Sequence, residues 1–278
     1  MKLHTIDTGL FKLDGGAMFG VVPKTMWEKL NPPDANNMCT WAMRCLLIED
    51  GQRLILVDTG LGTKQDEKFR SHFHPHGNDT LKGSIQKKGY SCDDITDVVL
   101  THLHFDHCGG AIDRVKDDLI PAFKNATYWS SKAHWDWANH PNPREKASFL
   151  KENIVPIQEH GQLKFFEEHD FNHSAIRFEH VNGHTESMTL VHINTGKFIL
   201  SYAADLIPSH HHIRMPYVMA YDVRPLDTLK EKRHFLERTL EENAIIMFEH
   251  DPTVECATIK QTENGIVFDS CLSLNEIC

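Results

Sequence analysis

His102, His104, Asp106 and His107 fall within six consecutive positions of the segment Thr101-His-Leu-His-Phe-Asp-His-Cys-Gly-Gly110. Imidazole nitrogen and carboxylate oxygen are the ligands that borderline divalent ions such as zinc accept. Four such groups are one more than the three protein ligands a catalytic tetrahedral ion takes beside its water. The segment therefore points to two adjacent metals, and to a catalytic site rather than a structural clip. The plain alternative is a solvated histidine-rich loop, since histidine makes up 20 of the 278 residues. The context favours the metal: the apolar run Asp97-Val-Val-Leu-Thr101 reads as a buried strand that delivers His102, and two glycines follow for a tight turn and close backbone approach.

Two metals require further ligands. His184 lies just past the strand-like Ile176–His180, Asp205 follows Phe198-Ile-Leu-Ser-Tyr-Ala-Ala, and His250 follows Ile245-Ile-Met-Phe-Glu. Each is a polar residue ending an apolar strand, where loops on one sheet edge converge. Singly, each reads as a cap or turn residue. As H-x-H-x-D-H … H … D … H, the set is far more specific.

The elements that must carry these residues alternate along the chain. Leu3–Thr8, Cys45–Glu49 and Leu54–Asp58 read as strands, the last two joined by an Asp50-Gly51 hairpin turn. Met18–Met38, with Pro23, Pro32 and Pro33, reads as an extended surface arm suited to a homodimer contact. Polar Leu61–Lys82, with His72, His74 and His76, reads as a solvated flexible segment, or else as a lid. Ser84–Lys88 is a short helix closed by Gly89, Ala126–Ser130 a strand, Ser131–Asn139 a helix capped by Ser131, and Pro143–Asn153 another helix. Trp129, Trp135 and Trp137 read as core or interface. Strands follow at Ile176–His180, Thr189–Asn194 and Lys197–Ser201. Pro225–Asn243 is then a helix with Leu226, Leu229, Leu236 and Leu240 along one face, followed by the strand Ala244–Phe248. Mixed strands and helices in each half favour one sheet-based α/β sandwich over two independent domains, with halves at approximately 1–170 and 171–278.

Composition excludes several classes. With 40% hydrophobic and 24% charged residues this is an ordinary globular chain, and no apolar stretch has the length of a membrane span. The N-terminus lacks a signal-peptide core, so a cytoplasmic location is expected. A net charge of −10 without a Lys/Arg run argues against a nucleic-acid groove. The seven cysteines (Cys39, Cys45, Cys92, Cys108, Cys256, Cys271, Cys278) are odd in number, scattered and without a CxxC pair. They read as buried or incidental thiols rather than a disulfide framework or zinc knuckle.

Taken together, these motifs resemble the metallo-β-lactamase-fold superfamily, and within it the N-acyl-homoserine lactonase-like and parathion-hydrolase-like branch. Leu54-Ile-Leu-Val-Asp-Thr-Gly60, Thr101–Gly110, Gly183-His184-Thr185, Asp205 and His250 carry the likeness, which covers most of the chain. It implies a four-layer αββα sandwich with a dinuclear metal site. His102, His104 and His184 would hold one divalent ion, Asp106, His107 and His250 the other, with Asp205 bridging and Asp58 in support. His4 and His134 have no motif behind them and read as ordinary surface or core residues. Zinc is the expected metal, with manganese, iron and cobalt as alternatives.

The resemblance implies hydrolysis of a small-molecule substrate by a hydroxide bridging the two metals, with Asp106 orienting it or returning a proton to the leaving group. A lactone or other ester-type bond is the expected target. Phosphotriester, phosphodiester or thioester hydrolysis is the alternative, as is a non-catalytic metal-binding sensor. Related lactonases carry a tyrosine three residues after the bridging aspartate, where this chain has Pro208. Tyr202, Tyr217, Tyr221 and the run His210–His212 are the candidate replacements, although that run also reads as an exposed loop. Secreted β-lactamases are disfavoured by Asp205 in place of cysteine, and flavodiiron proteins by His104 in place of glutamate.

Overall fold

The computed structural model describes residues 1–277; Cys278 lies outside the described residues. The chain begins with β1 (Lys2–Asp14) and two short helices, α1 (Gly15–Phe19) and α2 (Lys24–Trp27). The hairpin β2 (Met38–Asp50) and β3 (Arg53–Val57) leads to α3 (Glu67–Phe73), α4 (Leu81–Lys87), β4 (Asp97–Val99) and α5 (Phe105–Cys108). Next come β5 (Ile112–Val115), β6 (Asp118–Pro121), β7 (Thr127–Ser130), α6 (Lys132–Asn139), α7 (Lys151–Glu159) and β8 (Leu163–Phe165). The remainder is β9 (Ile176–Val181), β10 (Met188–Asn194), β11 (Ile199–Tyr202), α8 (Pro225–Glu241), β12 (Ile245–Met247), β13 (Cys256–Thr262), β14 (Gly265–Leu272) and α9 (Leu274–Ile277).

Among the described residues the strands form one sheet in the order β1-β2-β3-β4-β7-β8, a second in the order β14-β13-β12-β11-β10-β9, and the hairpin β5-β6. The chain divides into two compact units, one of Met1–Gly9 and Met43–Asn172, the other of Leu10–Ala42 and His173–Ile277.

In the first unit β3, β4, β7 and β8 run parallel, as strands linked by crossovers must. Parallel strands covered on both faces read as continuous apolar runs, and Ile55, Leu56, Val57, Val98 and Val99 are accordingly buried. Ile6, Leu47, Leu56, Ile85, Leu100, Tyr128, Trp135 and Ile157 belong to one apolar cluster, each large side chain contributing about 1.5–3 kcal/mol by leaving water. Trp129 is buried and donates its indole N–H to Asp97 over 2.8 Å.

In the second unit β10 runs antiparallel to both β9 and β11, and β11 runs parallel to β12. Strands β9, β11 and β12 therefore point the same way, and their carboxyl ends share one sheet edge.

Two local expectations are corrected and two are given their detail. Met18–Met38 is not an extended surface arm: Met18, Phe19 and Trp27 are buried, and Phe19 stacks on Trp27 at 5.3 Å. A Cβ on Gly15 would stand 2.4 Å from the Trp27 ring, so glycine is what lets that ring close over the turn. The polar segment after Leu61 contains α3, whose N-terminus is capped by Asp66 accepting from Phe69 N at 2.7 Å. Pro143–Asn153 is not a helix; the Asn142 side chain accepts from Arg144 N at 2.9 Å and holds a turn, so the helix starts only at Lys151.

Finally, α8 buries Thr228, Lys232, Phe235, Leu236 and Thr239, while Leu226 is 72% exposed. Two contacts set the buried face, which takes in Leu236 of the leucine row and leaves out Leu226. Gly183 backs directly onto Thr228, whose backbone nitrogen would lie 2.4 Å from any added Cβ. The buried Lys232 ammonium donates to the carbonyls of Arg214 at 2.7 Å and Tyr217 at 2.8 Å. No helix among the described residues is long and apolar enough to cross a membrane.

Candidate metal centre

The histidine-rich loop leaves the carboxyl end of β4, beside the parallel β3, whose own carboxyl end delivers Asp58. The two ends are laced together: Thr59 N and Thr59 Oγ1 both donate to the His107 carbonyl, at 2.7 and 2.9 Å. The close approach explains the glycine pair. A Cβ on Gly109 would lie 1.9 Å from the Leu61 carbonyl oxygen, and one on Gly110 would lie 2.2 Å from that of Thr59.

His102, His104, Asp106 and His107 are all buried and packed together. The His102 ring centroid stands 4.6 Å from that of His104 and 3.9 Å from that of His107. Asp58, at a left-handed φ of 58°, aims its carboxylate into this loop. Asp58 Oδ1 accepts from Thr101 N at 2.8 Å, and Oδ2 accepts from the Thr101 hydroxyl at 2.6 Å and faces His107 Nδ1 at 3.2 Å. Since the Thr101 hydroxyl donates to Asp58, its oxygen accepts from His102 Nδ1, 3.1 Å away. One carboxylate thus orients two imidazoles, and turns the Nε2 atoms of both away from itself.

Two further residues brace the loop without a motif to announce them. His134 Nε2 accepts from Leu103 N at 2.8 Å, fixing the backbone between His102 and His104. Glu145, buried and held by the Trp137 indole at 2.8 Å, places Oε1 3.6 Å from His104 Nε2. Cys108 is no candidate ligand: its thiol donates to the Leu103 carbonyl at 3.3 Å, and burial pushes its pKa up to about 12.

In the second unit His184, Asp205 and His250 follow β9, β11 and β12, so all three emerge at the sheet edge those strands share. Asp205 is flanked on both oxygens. His184 Nε2 lies 3.1 Å from Oδ2, and His250 Nε2 lies 3.0 Å from Oδ1. The opposite nitrogens face acceptors: His184 Nδ1 donates to Asp222 Oδ1 at 2.8 Å, and His250 Nδ1 donates to the Ala42 carbonyl at 2.8 Å. A neutral imidazole that donates from Nδ1 carries a lone pair on Nε2. Each such lone pair points at a carboxylate oxygen, an arrangement that calls for a cation between the two atoms. The same surplus of negative charge acts on a proton: burial disfavours charge on His184, but Asp205 and Asp222 outweigh it and raise its pKa to about 10, so a divalent ion at Nε2 would take the place of that proton. Nitrogen and oxygen donors buried around excess negative charge fit a borderline divalent ion.

A sequence-family model described as the metallo-beta-lactamase superfamily matches residues 44–257. The chain belongs to this superfamily. Its fold is the metallo-β-lactamase fold, an α/β sandwich architecture, and its relatives include metal-dependent hydrolases. It is 24% identical over 264 residues to an N-acyl homoserine lactonase from a Bacillus species, covering 90% of this chain and 93% of that one. A solved structure described as a probable metal-dependent hydrolase from Staphylococcus aureus superposes with a TM-score of 0.87 at 26% identity, over 98% of each chain. A dizinc quorum-quenching lactonase, solved in complex with a product N-acyl-homoserine, shares the fold with a TM-score of 0.77 at 24% identity, over 98% of this chain and 95% of that one.

Within this superfamily chain the expected tyrosine replacements fall in different settings. Pro208 uses its carbonyl to accept from His250 N at 3.1 Å. Tyr202 and Tyr217 are buried, the latter edge-on to Phe19 at 6.1 Å, whereas Tyr221 is 38% exposed. The run His210–His212 is a 3₁₀ turn rather than an exposed loop. His212 donates from Nε2 to the Met18 carbonyl at 2.9 Å, accepts from Ser209 at Nδ1 over 2.7 Å, and stacks on Phe19 at 5.0 Å. Burial lowers its pKa to about 3, so it is a neutral core residue. Cys39, Cys45, Cys108 and Cys256 are buried free thiols, whereas Cys92 is partly exposed and Cys271 exposed.

Proposed function

We propose that this protein is a dinuclear metallo-hydrolase acting on a lactone or similar ester. In this reading His102, His104 and His184 would hold one ion and Asp106, His107 and His250 the other, with Asp205 serving both. Zinc is the metal this donor set favours. The observation that carries the reading is Asp205, whose two oxygens each face the Nε2 atom of a different histidine. Bound there, two divalent ions supply a nucleophilic water of lowered pKa and polarise the substrate carbonyl.

The residues of the chain do the rest. Asp58 and Asp222 keep His107 and His184 in the tautomer that presents Nε2. Asp106, buried but for a 10% exposed side chain and 3.8 Å from His107 Nε2, takes the proton that the attacking water loses and returns it to the departing ring oxygen. Water adds across one C–O bond, and the product is an open-chain hydroxy acid. No serine or cysteine nucleophile is needed.

The test is a panel of lactones, aryl esters, thioesters and phosphotriesters assayed with protein reconstituted in zinc or manganese. Lactone turnover that disappears with chelator and returns with metal supports the reading. Two tightly bound ions with no turnover on any member would replace it with a metal-binding sensor.

A further inference from the structure

Lys64, like Lys232, is an ammonium held by backbone carbonyls, but it borders a cavity. Its ammonium is partly buried and donates to the Gly109 carbonyl, immediately after the histidine-rich loop. Among the described residues no carboxylate lies within ion-pair distance of it, and burial draws its pKa down to about 8. A partly buried ammonium without a counter-charge is costly unless an anion completes it.

The space beside it suits one. A polar cavity of ≈ 380 Å³ is lined by Thr63, Lys64, Lys82, Asp113, Arg114 and Val115. That lining carries three cations and one carboxylate, in a chain whose net charge is −10. Lys82 is paired with Asp113, and Arg114 with Glu152 at 2.7 Å, so both are held in place with donors to spare. Lys64 commits one of its three N–H donors to Gly109, leaving two for a ligand.

We propose that this cavity is a binding site for the phosphate group of a small phosphorylated metabolite, recognised by Lys64, Lys82, Arg114 and the Thr63 hydroxyl. Asp113 and Glu152 offset Lys82 and Arg114, so Lys64 leaves one net positive charge for an anion, and several separated donors suit a tetrahedral oxyanion better than a flat carboxylate. The volume exceeds that of bare phosphate and leaves room for the group it is attached to. A ligand held by Lys64 also steadies Gly109, so occupancy stabilises the turn that closes the histidine loop. This site stands whether or not the hydrolase reading does.

The probe is inorganic phosphate, with acetate and chloride at matched ionic strength, measured by equilibrium dialysis and thermal unfolding on the metal-loaded protein. Wild type should bind phosphate and gain in Tm, as linkage requires. Arg114→Ala and Lys82→Ala, both at partly exposed positions, should each bind at least about fivefold more weakly, and Lys64→Met about tenfold or more. Arg114→Ala and Lys82→Ala keep the test decisive if Lys64→Met folds poorly. Equal phosphate affinity in wild type and the alanine variants would place the anion elsewhere and overturn the proposal. Absence of binding to wild type, or acetate binding as tightly as phosphate, would overturn it too.

Discussion

Asp222 Oδ1 lies 2.8 Å from Nδ1 of His184, and this contact determines which ring nitrogen is left to face Asp205. Removing the acceptor frees the ring to turn and to change tautomer. Asp222→Ala should therefore lower metal affinity about 10–100-fold, whereas Asp222→Asn, which keeps an acceptor oxygen, should lose less. Competition against a chelator of known affinity measures both variants. Wild-type affinity in Asp222→Ala would show that the ring is held by packing alone.

Asp205 makes a stronger prediction because both of its oxygens are engaged. In Asp205→Asn one oxygen becomes an amide that can no longer act as an anionic ligand. Metal content by plasma emission should drop from two ions per chain, and hydrolysis should fall by at least about 100-fold. Far-UV circular dichroism should be unchanged, since Asp205 follows β11 rather than lying within its ladder. Retention of two ions and full activity would sink the bridging assignment.

Chemistry proved easier to read from sequence than its support. His102, His104, Asp106 and His107 announce themselves by spacing, and Asp205 by standing at the end of an apolar strand. Asp222 and Glu145 send no such signal, because they act on His184 and His104 from 38 and 41 positions away and sit among ordinary polar residues. His134 was equally silent: its role is to accept one backbone N–H, which any buried histidine could do. Periodicity located α8 and the row that contains buried Leu236, but leucine spacing cannot foresee that Lys232 finds carbonyl partners inside. The N-terminal arm misled for the converse reason, as its prolines suggested extension while Phe19 and Trp27 fold it back on itself.

His134 can be tested as a positioning residue. His134→Ala removes the acceptor for Leu103 N and leaves that buried donor unmatched, a cost of about 1–3 kcal/mol. Its readout beyond stability is metal affinity, since Leu103 separates His102 from His104. Urea denaturation should show the lost stability and chelator competition a weaker metal. His134→Gln, which restores an acceptor, should recover part of both. A variant that loses stability but binds metal as wild type does would confine His134 to a packing role.

Glu179 supplies the pH dependence. Burial opposes its charge, but hydrogen bonds from His192 Nε2 at 3.0 Å and from Arg238 outweigh that and bring its pKa from 4.5 down to about 2. His192 is itself kept from protonating by its burial, and with Ser201 hydrogen-bonded to Nδ1 at 2.8 Å its Nε2–H points at the carboxylate. A carboxylate whose folded pKa lies below the unfolded one binds fewer protons when folded, so its contribution is full above pH 4.5 and drains away as pH falls toward 2. The Glu179 side chain is 21% exposed, which reduces the contribution to about 1–2 kcal/mol. Urea midpoints should accordingly separate wild type from Glu179→Gln near neutral pH, and the gap should narrow by about pH 3. A gap that stays constant across that window would mean the loss in Glu179→Gln is one of packing and hydrogen bonding, not of charge.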